Sequence, residues 1–185
     1  MSNSKLKTQN SKLEAIRAAI EKNPRQMTLL LARELNVPEA DVIRALPESQ
    51  VREVDVACWE ALIRAFEPLG KVHVICSNGA VTLEAYGQFA NFSKAGPFFN
   101  VQNATLDMHI RHQQLGSAFA VEKPGHMDGV NTMSFQFFDK DGNSAFKVFL
   151  SFGGSAPSAE RRAQFETIRD LFCQEPKAKS QEPDI

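Results

Sequence analysis

An α+β architecture, with helices first and an antiparallel sheet after them, follows from a change of period along this chain. From Ser11 to Leu46 apolar residues recur at helical spacing, and from Val72 onward they alternate, with hairpin-type loops between the alternating runs. A third observation is compositional. Eleven of the 14 phenylalanines fall between Phe89 and Phe152, a stretch without tyrosine or tryptophan that also carries His109, His112 and His126. Phenylalanine has a large apolar face and no hydrogen-bonding tip. A sheet so built packs a dry core or holds a flat apolar ligand, beside which a histidine can ligate a metal. Composition alone leaves both readings open.

Residues 1–10 are polar and read as a flexible N-terminus. Ser11-Lys12-Leu13-Glu14 has the spacing of a capping box, and Leu13, Ile16 and Ile20 form a stripe that Asn23-Pro24 ends. Two short helices over 27–35 and 38–46, joined at Asn36-Val37-Pro38, complete a three-helix, helix-turn-helix-like unit over 11–50. Its second helix offers Glu39 and Asp41 against Arg44 alone, whereas reading DNA needs basic and polar groups there. The unit therefore reads as a packing or docking module, with a ligand-sensing DNA-binding regulator as the alternative. Asp55 caps a longer helix over 56–67, whose buried stripe is Trp59, Leu62, Ile63 and Phe66.

Alternation then begins at Val72, Val74 and Cys76, and Asn78-Gly79 is a two-residue hairpin signal before Val81, Leu83 and Ala85. Further strands are expected at 97–102, 105–112, 117–122, 131–138 and 144–152, the last two joined by Asp139-Lys140-Asp141-Gly142-Asn143. After Ser155 or Ser158 a final helix runs to Phe172, with Phe165, Ile168 and Phe172 turned to the sheet. Residues 51–173 thus make one antiparallel β domain, and 174–185 a disordered tail.

With 21 basic and 22 acidic side chains, no global field draws nucleic acid or an anionic membrane. No run approaches the roughly 18 apolar residues of a membrane span. Cys58, Cys76 and Cys173 are scattered without CxxC spacing, which fits a reducing compartment and a cytoplasmic protein. There is no GxSxG, HExxH, P-loop or strand-borne GxGxxG, so no enzyme class is indicated. A sheet this apolar with few helices to cover it predicts a homodimer.

The histidines carry the remaining chemistry. On a strand over 105–112, Leu106, Met108, Ile110 and His112 share one face, and Thr105, Asp107, His109 and Arg111 the other. The polar face is either solvated or lines a pocket in which His109 ligates a metal and Arg111 pairs with a ligand carboxylate. His126 and Met127 lie in the loop 123–129, of a kind that can close a pocket, and His73 reads as structural.

Several pieces in order carry a family resemblance. They are Leu46-Pro47, the Trp59 helix running into Gly70-Lys71-Val72, the strand Ala80–Glu84, Gly96-Pro97-Phe98-Phe99-Asn100 and Met108-His109-Ile110. Glu122-Lys123, Met127-Asp128 and the hairpin from Phe137 through Asp139–Asn143 into Phe146–Leu150 follow. Over 46–172 the chain resembles the ChuX/HutX family of intracellular haem carriers. The resemblance implies a cytoplasmic homodimer that binds haem as cargo and passes it on, with a haem-degrading enzyme as recipient. His109 matches a haem-ligating histidine of that family, and His126 is the second candidate iron ligand. Arg111, Phe99 and Met127 complete the set expected against the porphyrin. Phe98 and Phe99 stand where relatives often have a tyrosine.

Overall fold

The computed structural model describes residues 2–126, 129–150 and 156–172. Helix α1 (Ser2–Lys22) starts well before Ser11, so the expected capping box lies inside it and the residues expected to be flexible are helical from Ser2. Helices α2 (Thr28–Glu34) and α3 (Glu39–Arg44) follow, with Asn36 at positive φ in the turn between them. Ile16, Ile20, Leu31, Ala32, Ala40, Val42 and Ile43 of this unit form one buried cluster with Phe119, Val121 and Phe138 of the sheet. Burying that apolar stripe is what stabilises α2 and α3, of seven and six residues, which are too short to persist alone. The turn-and-helix pair packs its apolar side on the sheet. Arg44, its one exposed base on α3, is engaged by Asp41 and Glu53.

Nine strands follow among the described residues, two of which the periodicity did not mark. They are β1 (Val51–Val54), β2 (Lys71–Ser77), β3 (Thr82–Gln88), β4 (Phe92–Ala95), β5 (Phe98–Gln102), β6 (Asp107–Ile110), β7 (Leu115–Pro124), β8 (Asn131–Asp139) and β9 (Ser144–Phe149). Unmarked β1 and β4 have four residues each, too few to show a period. The helix expected over 56–67 is composite: a 3-10 turn at Val56–Cys58, α4 (Trp59–Arg64), and a second 3-10 turn at Glu67–Leu69. Asp55 caps the first turn through its bond from Ala57 N, and Pro68 with Gly70 at positive φ ends the segment. The β2–β3 loop has four residues, not two. Asn78 Oδ1 accepts from Ala80 N and Val81 N and leaves Ser77 paired with Thr82. Helix α5 (Ala159–Phe172) is capped by Ser158 Oγ, which accepts from Arg161 N.

The strands form two antiparallel sheets, ordered β1-β7-β8-β9-β2-β3 and β4-β5-β6. Period-two alternation splits the large sheet cleanly. Val72 and Val74, Ala118 and Ala120, Met133, Phe135 and Phe137, and Phe146, Val148 and Leu150 all belong to one core. That core is closed by Leu62, Ile63 and Phe66 from the α4 segment, by Phe165 and Ile168 from α5, and by Phe99, Val101 and Ile110 from the small sheet. The opposite face of the large sheet receives the N-terminal unit. The β8–β9 hairpin touches that unit directly: Ala40 N donates to Gly142 O, and a Cβ at Gly142 would come within 2.8 Å of Pro38 Cβ. Gly142 is also at φ +81, so the turn and the close approach both require glycine. Among the described residues no helix is long and apolar enough to cross a membrane.

Candidate functional site

Between the start of α2 and the outer face of the large sheet lies a cavity of about 420 Å³. Its floor is the side of β2, β3, β7, β8 and β9 that points away from the core, and Arg25, Met27, Thr28 and Leu29, leading into α2, form its wall. Ile75, Phe149, Val130 and Leu29 supply apolar surface, and Tyr86 stacks on His73 with ring centroids 4.5 Å apart and planes 15° from parallel. His73 Nε2 lies 2.9 Å from Glu84 Oε2, so the imidazole read as structural is an oriented part of the wall.

Three cations, Arg25, Lys123 and Lys147, line the same space. Lys147 is tied to the buried carboxylate of Glu39, which also accepts from Thr28 Oγ1, so α2, α3 and β9 are joined at this floor. Lys123 has a different environment. Its Nζ donates to Pro124 O at 2.7 Å and Gln26 O at 3.4 Å, and no described carboxylate pairs with it. Burial, with the Lys147 charge adding, pushes its ammonium down to about 8. A buried cation held by carbonyls alone is a ready partner for a ligand carboxylate.

That charge also costs stability. The folded form releases its proton near pH 8, whereas the unfolded chain holds it to 10.5, so stability rises as pH climbs across that window. At neutral pH the burden is roughly 3 kcal/mol, part of which the two carbonyl bonds offset. Lys123→Met should therefore stabilise the ligand-free protein by about 1–2 kcal/mol at pH near 7, with the gain fading by about pH 10. Thermal melts at the two pH values check it, and equal destabilisation at both would contradict it.

The expected iron ligands lie apart. His126 is exposed and lines the cavity. His109 stands on β6 in the small sheet, whose buried face packs into the core on the other side of the large sheet. Its side chain is 54% exposed, with Nδ1 2.8 Å from Asn100 Oδ1 and Nε2 3.4 Å from Asp107 Oδ1. Phe98 meets the imidazole edge-on at 6.3 Å, and Arg111 lies over the Phe98 ring at 5.8 Å. His109 and Arg111, which the strand pattern put on one face, both meet Phe98, although Arg111 lies just past the end of β6.

Phe99 is a correction. It is fully buried, packs edge-on against Trp59 and stacks on Phe92, so its ring cannot reach a ligand on the His109 face. Alternation gives that place to Phe98. His112 also departs from expectation: the strand ends at Ile110, and His112 opens a 3-10 turn and stacks on Trp59 at 4.6 Å. Met127 lies outside the described residues. Sequence reasoning missed the cavity cations because nothing in the pattern says which half of the outer face the N-terminal unit covers. The alternation of Lys147 and Phe149 against Phe146 and Val148 was the available signal.

A family model for haem utilisation ChuX/HutX matches residues 52–168. The chain belongs to the ChuX/HutX family. It is 27% identical over 146 residues to the intracellular heme transport protein HutX of Vibrio cholerae, covering 78% of this chain and 75% of the relative. Among solved structures, a protein from Agrobacterium tumefaciens superposes with a TM-score of 0.80 at 21% identity, over 93% of this chain and 98% of that one. The heme-degrading enzyme ChuS of Escherichia coli O157:H7 superposes with a TM-score of 0.71 at 22% identity, over 87% of this chain but 46% of its own. The ChuX/HutX match begins inside β1, so the cavity wall of Arg25, Met27, Thr28 and Leu29 stands outside the matched stretch.

Proposed function

We propose that this chain is a cytoplasmic haem carrier that binds haem as cargo and hands it on unaltered. The observation that carries the reading is the cavity: one space combines apolar and aromatic walls with Arg25, Lys123 and Lys147. Haem presents a flat apolar ring, two carboxylates and an iron. The volume of about 420 Å³ falls in the range of small-molecule sites. The three cations suit the carboxylates, and His126 or His73 is available to the metal. The haem-transport relative supports the same cargo, and its intracellular place supports a cytoplasmic one. A haem-degrading enzyme is the proposed recipient.

His109 enters this reading only if two copies meet. Within one chain the large sheet separates the cavity from the His109 face, so a single haem touches both only at a junction between chains. We infer a homodimer in which His109 of one copy faces the cavity of the other. Exposed Leu83 and Tyr86 on the edge strand β3, with Val81 in the loop before it, give such a junction apolar surface to bury. Titrating haemin into the purified protein should give a sharpened, shifted Soret band saturating near one haem per chain. A spectrum that never saturates removes the carrier reading. Light scattering at micromolar concentration should report a dimer, and a 20.5 kDa species alone would remove the shared site.

A further inference from the structure

We propose that Asn100 is the positioning residue that decides which nitrogen of His109 is offered to iron, an inference resting on the reading of His109 as a haem ligand. One rung across the small sheet runs Ser93, Asn100, His109 in direct register. Asn100 is only 4% exposed, between Phe99 and Val101, which are buried on the opposite face. Burying a primary amide costs free energy unless both its ends are partnered, and here both are. Nδ2 donates to Ser93 Oγ at 3.2 Å, and Oδ1 lies 2.8 Å from His109 Nδ1.

The direction of this relay has a chemical consequence. With its amide hydrogens turned to Ser93, Asn100 meets the imidazole with a carbonyl oxygen, which only accepts. Nδ1 of His109 therefore carries the ring hydrogen, and Nε2 keeps its lone pair. Nε2 is also the nitrogen on the open side of the ring, where the Asp107 carboxylate, 3.4 Å away, competes for the hydrogen and is outweighed by the closer Asn100 oxygen at 2.8 Å. A ligand imidazole held through its other nitrogen is fixed in both tautomer and ring angle, and loses less freedom when it meets the metal. Reversing the amide would turn Nδ2–H onto His109 Nδ1 and require the ring hydrogen on Nε2, so the amide's orientation and the ring's tautomer change together. The rung is a three-residue device for aiming one lone pair outward.

The test reads the ring directly, before haem enters. Long-range proton–nitrogen correlation spectra of the ¹⁵N-labelled, haem-free protein at mildly alkaline pH should show His109 as a single tautomer with its hydrogen on Nδ1. Asn100→Leu should convert this to a mixture. Asn100→Asp keeps an acceptor at the same place and should restore the single form. Haem loss to apomyoglobin should quicken on the order of 10-fold in Asn100→Leu and stay near native in Asn100→Asp. A native ring with its hydrogen on Nε2 overturns the proposal, even if no variant folds. An unchanged tautomer in Asn100→Leu overturns it as well. If the tautomer shifts as expected while native protein and His109→Ala lose haem alike, Asn100 still positions the ring and it is the ligand reading that falls.

Discussion

His109→Ala should speed haem transfer to apomyoglobin by on the order of 100-fold and displace the Soret band, because it removes an imidazole ligand whose geometry is already set. Iron needs the lone pair of Nε2, and Nδ1 is occupied by Asn100, so no rotation of the ring offers an equivalent contact. His126→Ala should have the smaller effect, since His126 sits on an exposed loop with no partner fixing its ring among the described hydrogen bonds. If haem bridges two copies, the defect is complemented. Mixed dimers of His109→Ala with Lys123→Met contain one junction with both groups intact, and should hold about half the haem tightly. Unchanged spectrum and loss rate in His109→Ala would move the ligand to His126, His73 or Met127. Uniformly fast loss from the mixed dimers would remove the shared junction.

The second large effect concerns the fold. Phe66 has no exposed surface and joins the layers of the core: its ring meets Phe89 edge-on at 5.3 Å, Phe135 at 5.1 Å and Phe137 at 6.3 Å. Phe66→Ala loses the transfer free energy of the ring and leaves a space that Phe89 and the β8 residues Phe135 and Phe137, all buried, cannot fill. The expected cost is about 3–5 kcal/mol, a large share of the total stability of a domain this size. Urea unfolding followed by Trp59 fluorescence should show a midpoint shifted down at unchanged slope. A loss below about 1 kcal/mol would mean that Phe66 is not the joint between α4 and the sheet.

What could be read beforehand was whatever depends on local period. Met133, Phe135 and Phe137 against Thr132, Ser134 and Gln136, and the Asp139–Asn143 loop, placed β8, β9 and their inner face correctly because alternation is a property of each strand alone. Asp139 Oδ1 accepting from Asp141 N and Asn143 N is the local bond that this loop composition promises. The same reasoning put His109 with Arg111. It failed where outcomes depend on contacts between distant segments. The pairing of β1 with β7 creates a strand that four residues cannot announce. The cavity exists because Thr28 and Glu39 meet Lys147 across the chain, a contact with no periodic trace. Phe99 was misplaced for a simpler reason: of two adjacent phenylalanines only one can face out, and the register with His109, through Asn100, selects Phe98.

Native mass spectrometry of the haem-loaded protein tests cargo and assembly at once. The expected spectrum is dominated by two chains carrying two haems, with Lys123→Met and His109→Ala each lowering haem occupancy while leaving the dimer intact. Single 20.5 kDa chains without haem, at haemin concentrations that saturate a known carrier, would contradict both the cavity as a haem seat and the junction that brings His109 to it.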